Sequence, residues 1–212
     1  MAIKKAKQEE KTRVLLRTPI GMFSYPYLAK KDEGRPESDG KFKVDLLVPL
    51  KDWNSSPEAK ALREGVLAVG RKFFEDDALS LEDFKNPFSL TDDIPGADER
   101  IKGCMRIRAK TTFIPTIYGP DGKEKMTVED IMKIKGGDYG RMVVDVYPYS
   151  QQGGGVTLGL QVVQFARPGK PLGQGQAAAL ALLDEIEVPV ADVPEVSASG
   201  ARSTDKAFNF GK

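Results

Sequence analysis

The sequence predicts a mainly β fold: a small barrel of five or more strands with one principal helix, long loop insertions and a disordered C-terminal tail. Three observations lead there. Residues 41–48 (KFKVDLLV) and 104–113 (CMRIRAKTTF) alternate apolar and polar side chains with the period of two of a half-buried strand. The stretch from Tyr139 to Phe165 reads as two strands joined by a hairpin at Gly153-Gly154-Gly155. One segment, from Pro57 to about residue 76, carries the apolar stripe of an amphipathic helix.

In chain order, residues 1–11 form a flexible basic arm. RVLLRT (13–18) is a short first strand stopped at Pro19. Residues 19–40 hold Gly21, Pro26, Gly34, Pro36 and Gly40, and are expected to be loop. Within them Tyr25-Pro26-Tyr27 either presents rings to a ligand or locks the loop. In 41–48, Phe42, Val44, Leu46 and Val48 face the core, and Lys41, Lys43 and Asp45 face away. Trp53 packs at a strand–helix corner. Ser55 or Ser56 caps the helix, with Pro57 in its first turn and Leu62, Val66, Val69, Phe73 and Phe74 on its apolar stripe. Residues 77–103 are irregular. In the next strand Met105, Ile107, Ala109 and Phe113 face one way, and Arg106, Arg108 and Lys110 the other. Gly119-Pro120-Asp121-Gly122 is a turn. Thr127 to Lys135 is a short helix capped through Thr127 and Asp130 and ended by Gly136-Gly137. Strands at 140–148 and 156–166 complete a domain spanning 12–175. Residues 176–212 form the flexible tail, with five acids at 184–195.

Composition narrows the function classes. The chain has 212 residues and a net charge of +1, so any polyanion must be met by local segregation of charge. Such segregation exists. Residues 100–110 hold Arg100, Lys102, Arg106, Arg108 and Lys110 and no acid, while nine acids stand against Lys85 alone at 75–99. Histidine is absent, which excludes Ser-His-Asp and Cys-His catalysis and any His-containing zinc site. Cys104 is the sole cysteine, so no disulfide forms within the chain, and a reducing, cytoplasmic setting is expected. No 18-residue apolar run marks a membrane span. Gly173-Gln174-Gly175-Gln176-Ala177-Ala178 matches a dinucleotide fingerprint in letters, but no strand leads into its first glycine. The chemistry expected is binding, with no enzyme activity, cofactor or metal.

The candidate binding residues lie on the outward phase of the strands. Arg141, Tyr147 and Tyr149 share one face of a strand, as suits a single nucleic-acid strand: arginine takes phosphate and rings stack on bases. An ordinary antiparallel pair with surface tyrosines has the same pattern. Arg106, Arg108 and Lys110 stand about 7 Å apart on another strand, close to the phosphate repeat of an extended strand. They repel one another unless something anionic is present, although a solvated sheet face also carries Arg and Lys. Lys43 joins them by phase. Tyr118 before the turn, Lys133 and Lys135 in the short helix, and Tyr139 at the head of the penultimate strand complete the set.

The succession SYPYL (24–28), KFKVDLLVPL (41–50), a helix, CMRIRAKTTFIPTIYGPDGKE (104–124), YGRMVVDVYPYSQQGGG (139–155) and LGLQVVQFARPGKPLG (159–173) resembles the family of single-stranded DNA-binding proteins encoded by tailed phages. The resemblance covers roughly residues 12–175. It implies an OB fold, a closed five-stranded barrel, and sequence-tolerant binding of single-stranded DNA in phage replication or recombination, as a monomer or homodimer. In that family an acidic C-terminal tail docks phage or host replication proteins and competes with DNA. This tail departs from the pattern: its tip carries Asp205 against Lys206 and Lys212, which leaves Phe208 and Phe210 as the docking anchors. A phage structural or assembly protein using the same barrel as a packing module is the alternative.

Overall fold

The computed structural model describes residues 14–33, 39–92 and 99–172. Its strands are β1 (Val14–Arg17), β2 (Gly21–Tyr27), β3 (Phe42–Pro49), β4 (Phe88–Leu90), β5 (Cys104–Thr111), β6 (Thr116–Tyr118), β7 (Tyr139–Tyr149) and β8 (Gly155–Arg167). The helices are α1 (Leu50–Ser55), α2 (Pro57–Phe74) and α3 (Val128–Lys133). No helix among the described residues is long and apolar enough to cross a membrane. The basic arm at 1–11, the glycine pattern at 173–178 and the tail at 176–212, with its acids, Phe208 and Phe210, lie outside the described residues.

Five strands close on themselves in the order β2-β3-β5-β8-β7 and back to β2. All junctions are antiparallel except β5–β8, which is parallel through Ala109 opposite Leu158 and Lys110 opposite Gly159. This is a five-stranded closed barrel of the OB type. β1 extends the sheet beyond β7, β6 extends it beyond β8, and β4 pairs with β5. The inward phase is apolar on every wall: Phe23, Val44, Leu46, Val48, Ile107, Ala109, Met142, Val144, Val146, Leu158, Leu160 and Val163 are all buried.

The barrel closes at a pair of glycines, Gly21 opposite Gly140. A Cβ on Gly140 would stand 2.2 Å from the Phe23 ring and 2.4 Å from the Gln164 carbonyl oxygen; one on Gly21 would stand 2.6 Å from the Leu47 carbonyl oxygen. Neither position has room for a side chain. Helix α2 is capped by Ser56, whose hydroxyl accepts from the Ala59 amide at 3.1 Å, with Pro57 at its first position. It buries Ala59, Leu62, Val66 and Gly70 and packs on β1, β7 and β8. Trp53 is buried edge-to-face with Phe88, centroids 4.9 Å apart, as a corner packing residue should be.

Three expectations need correction. The segment placed in the loop at 19–40 contains β2, a barrel strand. Gly21 is there for close approach at the seam, and Pro26 falls where the β2–β3 register shifts between Ser24 and Tyr27. Phe113 does not face the core: β5 ends at Thr111, and Phe113 is 80% exposed in the loop beyond it. Asp45 is outward in phase but buried, and Leu47, two residues on, is buried with Met22, Ile101 and Cys104 in an outer apolar cluster.

Candidate nucleic-acid interface

The register lines up the outward residues of successive walls. Tyr27 on β2 stands opposite Lys43 on β3, Lys43 opposite Lys110 on β5, Lys110 opposite Gly159 on β8, and Gly159 opposite Asp145 on β7. One row therefore runs around the barrel from an aromatic ring through two lysines to a glycine notch. A Cβ on Gly159 would lie 1.9 Å from Asp145 Oδ1 and 3.1 Å from Tyr147 Cε1, so both side chains sit over the bare backbone of β8. This brings Tyr147, 38% exposed, toward the lysines. Where the β2–β3 register shifts, Tyr25 has φ 47° and is 62% exposed.

The row's cations already have acids. Lys43 pairs with the buried Asp32 and lies 5.3 Å over the Tyr27 ring. Lys110 Nζ donates to Asp39 at 2.8 Å. Arg108 donates twice to Asp45, Nε and Nη2 each at 2.9 Å, in a fork-to-carboxylate geometry. The repulsion expected along Arg106, Arg108 and Lys110 is thus relieved within the chain at Arg108 and Lys110. Asp39 responds accordingly. Burial pushes its pKa up, but the Lys110 hydrogen bond, with the charges of Lys110, Lys41 and Lys43, outweighs burial and holds the carboxyl below its usual value.

Two of the candidate arginines, Arg106 and Arg141, donate to neutral oxygens rather than to acids. Arg106 Nε donates to Ser89 Oγ at 2.9 Å. Arg141 Nε donates to Gln164 Oε1 at 2.8 Å, and Gln164 Nε2 donates to the Pro120 carbonyl at 2.9 Å, tying the 119–122 turn to the wall. Arg141, Gln164, Tyr118, Gly122 and Arg17 surround an open cleft of about 190 Å³ floored by Val143 and Val162. Arg17 reaches its rim while bonded to Glu58 on α2 at 2.9 Å.

The remaining candidates are dispersed. Arg141, Tyr147 and Tyr149 do share the outward phase of β7, but Tyr147 stands six positions beyond Arg141, about 20 Å along a strand. Tyr139 has the Arg167 guanidinium 3.8 Å from its ring centroid. Tyr149 lies at the hairpin end, its hydroxyl over Gly155. There the tip is held to Lys85 by side chain and backbone: Lys85 Nζ donates to the Gln152 carbonyl at 2.6 Å and Val156 N to the Lys85 carbonyl at 2.8 Å. Lys133 is bound to Asp130 at 2.8 Å on α3, and Lys135 is exposed just beyond that helix. Sequence reasoning missed Arg17, which no local pattern marks, and the exposed Phe113–Ile114 tip, 80% and 79% accessible, hidden because strand parity was carried past Thr111-Thr112.

The family described as "Enterobacter phage Enc34, ssDNA-binding protein" matches residues 2–188. Among solved structures, the single-stranded DNA-binding protein from bacteriophage Enc34 in complex with ssDNA superposes with a TM-score of 0.63 at 18% identity, covering 79% of this chain and 97% of that one. The single-stranded DNA-binding protein encoded by bacteriophage T7 gives a TM-score of 0.55 at 19% identity, over 85% of this chain and 100% of that one. At such identities the likeness is one of fold. No curated protein matches the chain.

Proposed function

This chain belongs to the Enterobacter phage Enc34 ssDNA-binding protein family, and from that membership we propose that it binds single-stranded DNA without strong sequence preference, protecting and organising exposed strands in phage replication or recombination. The observation that carries the reading is the family match over residues 2–188, which favours it over an assembly module. The outer face of the barrel supports it. Tyr27, Lys43 and Lys110 fall along one row of the wall, with Tyr147 over the Gly159 notch at its end, and Arg141, Gln164 and Tyr118 form a second row further along β7 and β8.

The mechanism follows from that chemistry. Guanidinium and ammonium groups take phosphate, displacing condensed counterions. Rings take bases at roughly 1–3 kcal/mol each, with little regard to sequence because every base has a π-face. Since Lys43, Arg108 and Lys110 begin paired to Asp32, Asp45 and Asp39, phosphate binding there exchanges one anion for another. The Lys110–Asp39 pair exchanges most readily, because both side chains are about one-third exposed. Under this reading the site of action is the host cytoplasm, and protein partners, if any, are met through the segment beyond the barrel.

A mobility shift with a labelled oligonucleotide, run against the matching duplex at low and high salt, tests the proposal. Preference for the single strand, weakening with salt, is expected. Equal affinity for duplex and single strand contradicts it.

A further inference from the structure

We propose that the cleft between β6, β7, β8 and the end of β1 is a subsite for one nucleotide, with phosphate on Arg141 and base on Tyr118. The inference rests on the single-stranded DNA reading and specifies where on the wall one unit of the strand is gripped.

The cleft is where a cation and a ring both remain available. Along the Tyr27–Lys43–Lys110 row each lysine faces a carboxylate, and Tyr139 is covered by Arg167. Arg141 differs. Its one hydrogen bond among the described residues uses Nε, on the neutral Gln164 side chain, and both Nη groups remain. A guanidinium keeps its charge at any working pH, and its planar fork matches two phosphate oxygens. No ring or cation stacks on Tyr118 among the described residues. Tyr118 stands directly opposite Gln164 in the β6–β8 register, and Gln164 directly opposite Arg141 in the β7–β8 register. Ring, amide and guanidinium therefore sit side by side on three neighbouring strands.

The site is also preorganised. Gln164 spends its oxygen on Arg141 and its nitrogen on the Pro120 carbonyl, fixing the fork and the turn together. Gly122, at φ +70°, leaves the mouth open: a Cβ there would come within 3.0 Å of Gln164 Nε2. The Val143 and Val162 floor offers an apolar surface to a base edge. At about 190 Å³ the space is well below the 300 Å³ or more of ordinary small-molecule pockets, and suits one ring of a longer polymer whose neighbours continue along the wall.

The test uses the full chain and a labelled oligo(dT). Arg141→Met should make the log–log salt slope less negative by about 0.7, one phosphate contact on a single strand. Tyr118→Leu should lower affinity by about fivefold to a hundredfold with the slope unchanged, since stacking releases no counterion. Photocrosslinking of the unmodified chain to a 5-iodouracil oligonucleotide should attach at Tyr118, and decides the matter if either variant fails to fold. If the parent binds the oligonucleotide while both variants bind equally well, or if crosslinks fall only elsewhere, the cleft is not a subsite and the wider reading stands. If the parent does not bind single strands, both fall.

Discussion

Replacing Arg108 by alanine should unfold the protein more readily, whatever it does to DNA binding. Asp45 lies in the outer phase of β3 with 6% of its side chain exposed, and its bonds among the described residues are the two from Arg108. Removing one member of a buried pair strands the other charge, at about 3–5 kcal/mol. Arg108 exposes 54% of its own side chain, so solvent already screens the pair, and we reduce the expectation to about 2 kcal/mol. For a chain of this size that is a fall of about 4–8 °C in melting temperature. The assay is urea denaturation of the parent, Arg108→Ala, Asp45→Ala and the double variant. Asp45→Ala in the Arg108→Ala background should recover stability, because it removes the stranded charge. An Arg108→Ala variant within about 0.5 kcal/mol of the parent, the usual range for a surface change, would refute the reasoning. So would a double variant less stable than Arg108→Ala alone. A DNA-binding defect in Arg108→Ala is therefore interpretable only where the variant is shown to be folded.

Further predictions concern the barrel seam, acid stability and the thiol. Gly140→Ala drives a methyl group into the Phe23 ring and the Gln164 carbonyl, and should cost about 3 kcal/mol or more by chemical denaturation; a small effect would mean the seam is looser than its glycine pair implies. The Asp39 pKa is depressed in the folded state, so its stabilising contribution is complete above the unfolded value of about 3.9 and is lost as pH falls through the lower folded value. The melting-temperature advantage of the parent over Asp39→Asn should therefore shrink between pH 6 and pH 3; a growing advantage has the wrong sign. Cys104 is buried, and burial first, then the nearby Asp92 charge, push its thiol pKa up, so a disulfide-exchange reagent should modify it slowly in the native protein and quickly in urea. Equal rates would place the thiol at the surface.

The inward phase of the barrel was legible because alternation is a local property. Phe42, Val44, Leu46 and Val48, then Ile107 and Ala109, are buried as their spacing requires. The Ser56-Pro57 helix start and the Thr127–Asp130 cap were readable for the same reason: each is a contact within three residues. β2 was hidden because Gly21 and Pro26 read as loop punctuation, while the actual reasons for them, closing the seam and accommodating a register shift, depend on strands more than 100 residues away in the case of Gly140. The acids opposite the cations were likewise out of reach. Asp45 and Arg108 are 63 residues apart, and Asp39 and Lys110 71, so only the strand register joins them. The cleft gathers Arg17, Tyr118, Arg141 and Gln164 from four strands, and no window of sequence contains such a set.

The proposed interface places DNA on the outer wall of the barrel. Chemical-shift mapping by NMR, titrating the labelled protein with a short oligo(dT), tests it most directly. The largest amide shifts are expected along the row of Tyr27, Lys43, Lys110 and Gly159 and onward to Arg141 and Gln164. Helix α2, packed on the other side of β1, β7 and β8, should remain unmoved. Shifts concentrated on α2, with the row unchanged at saturating oligonucleotide, would contradict the assignment of this face.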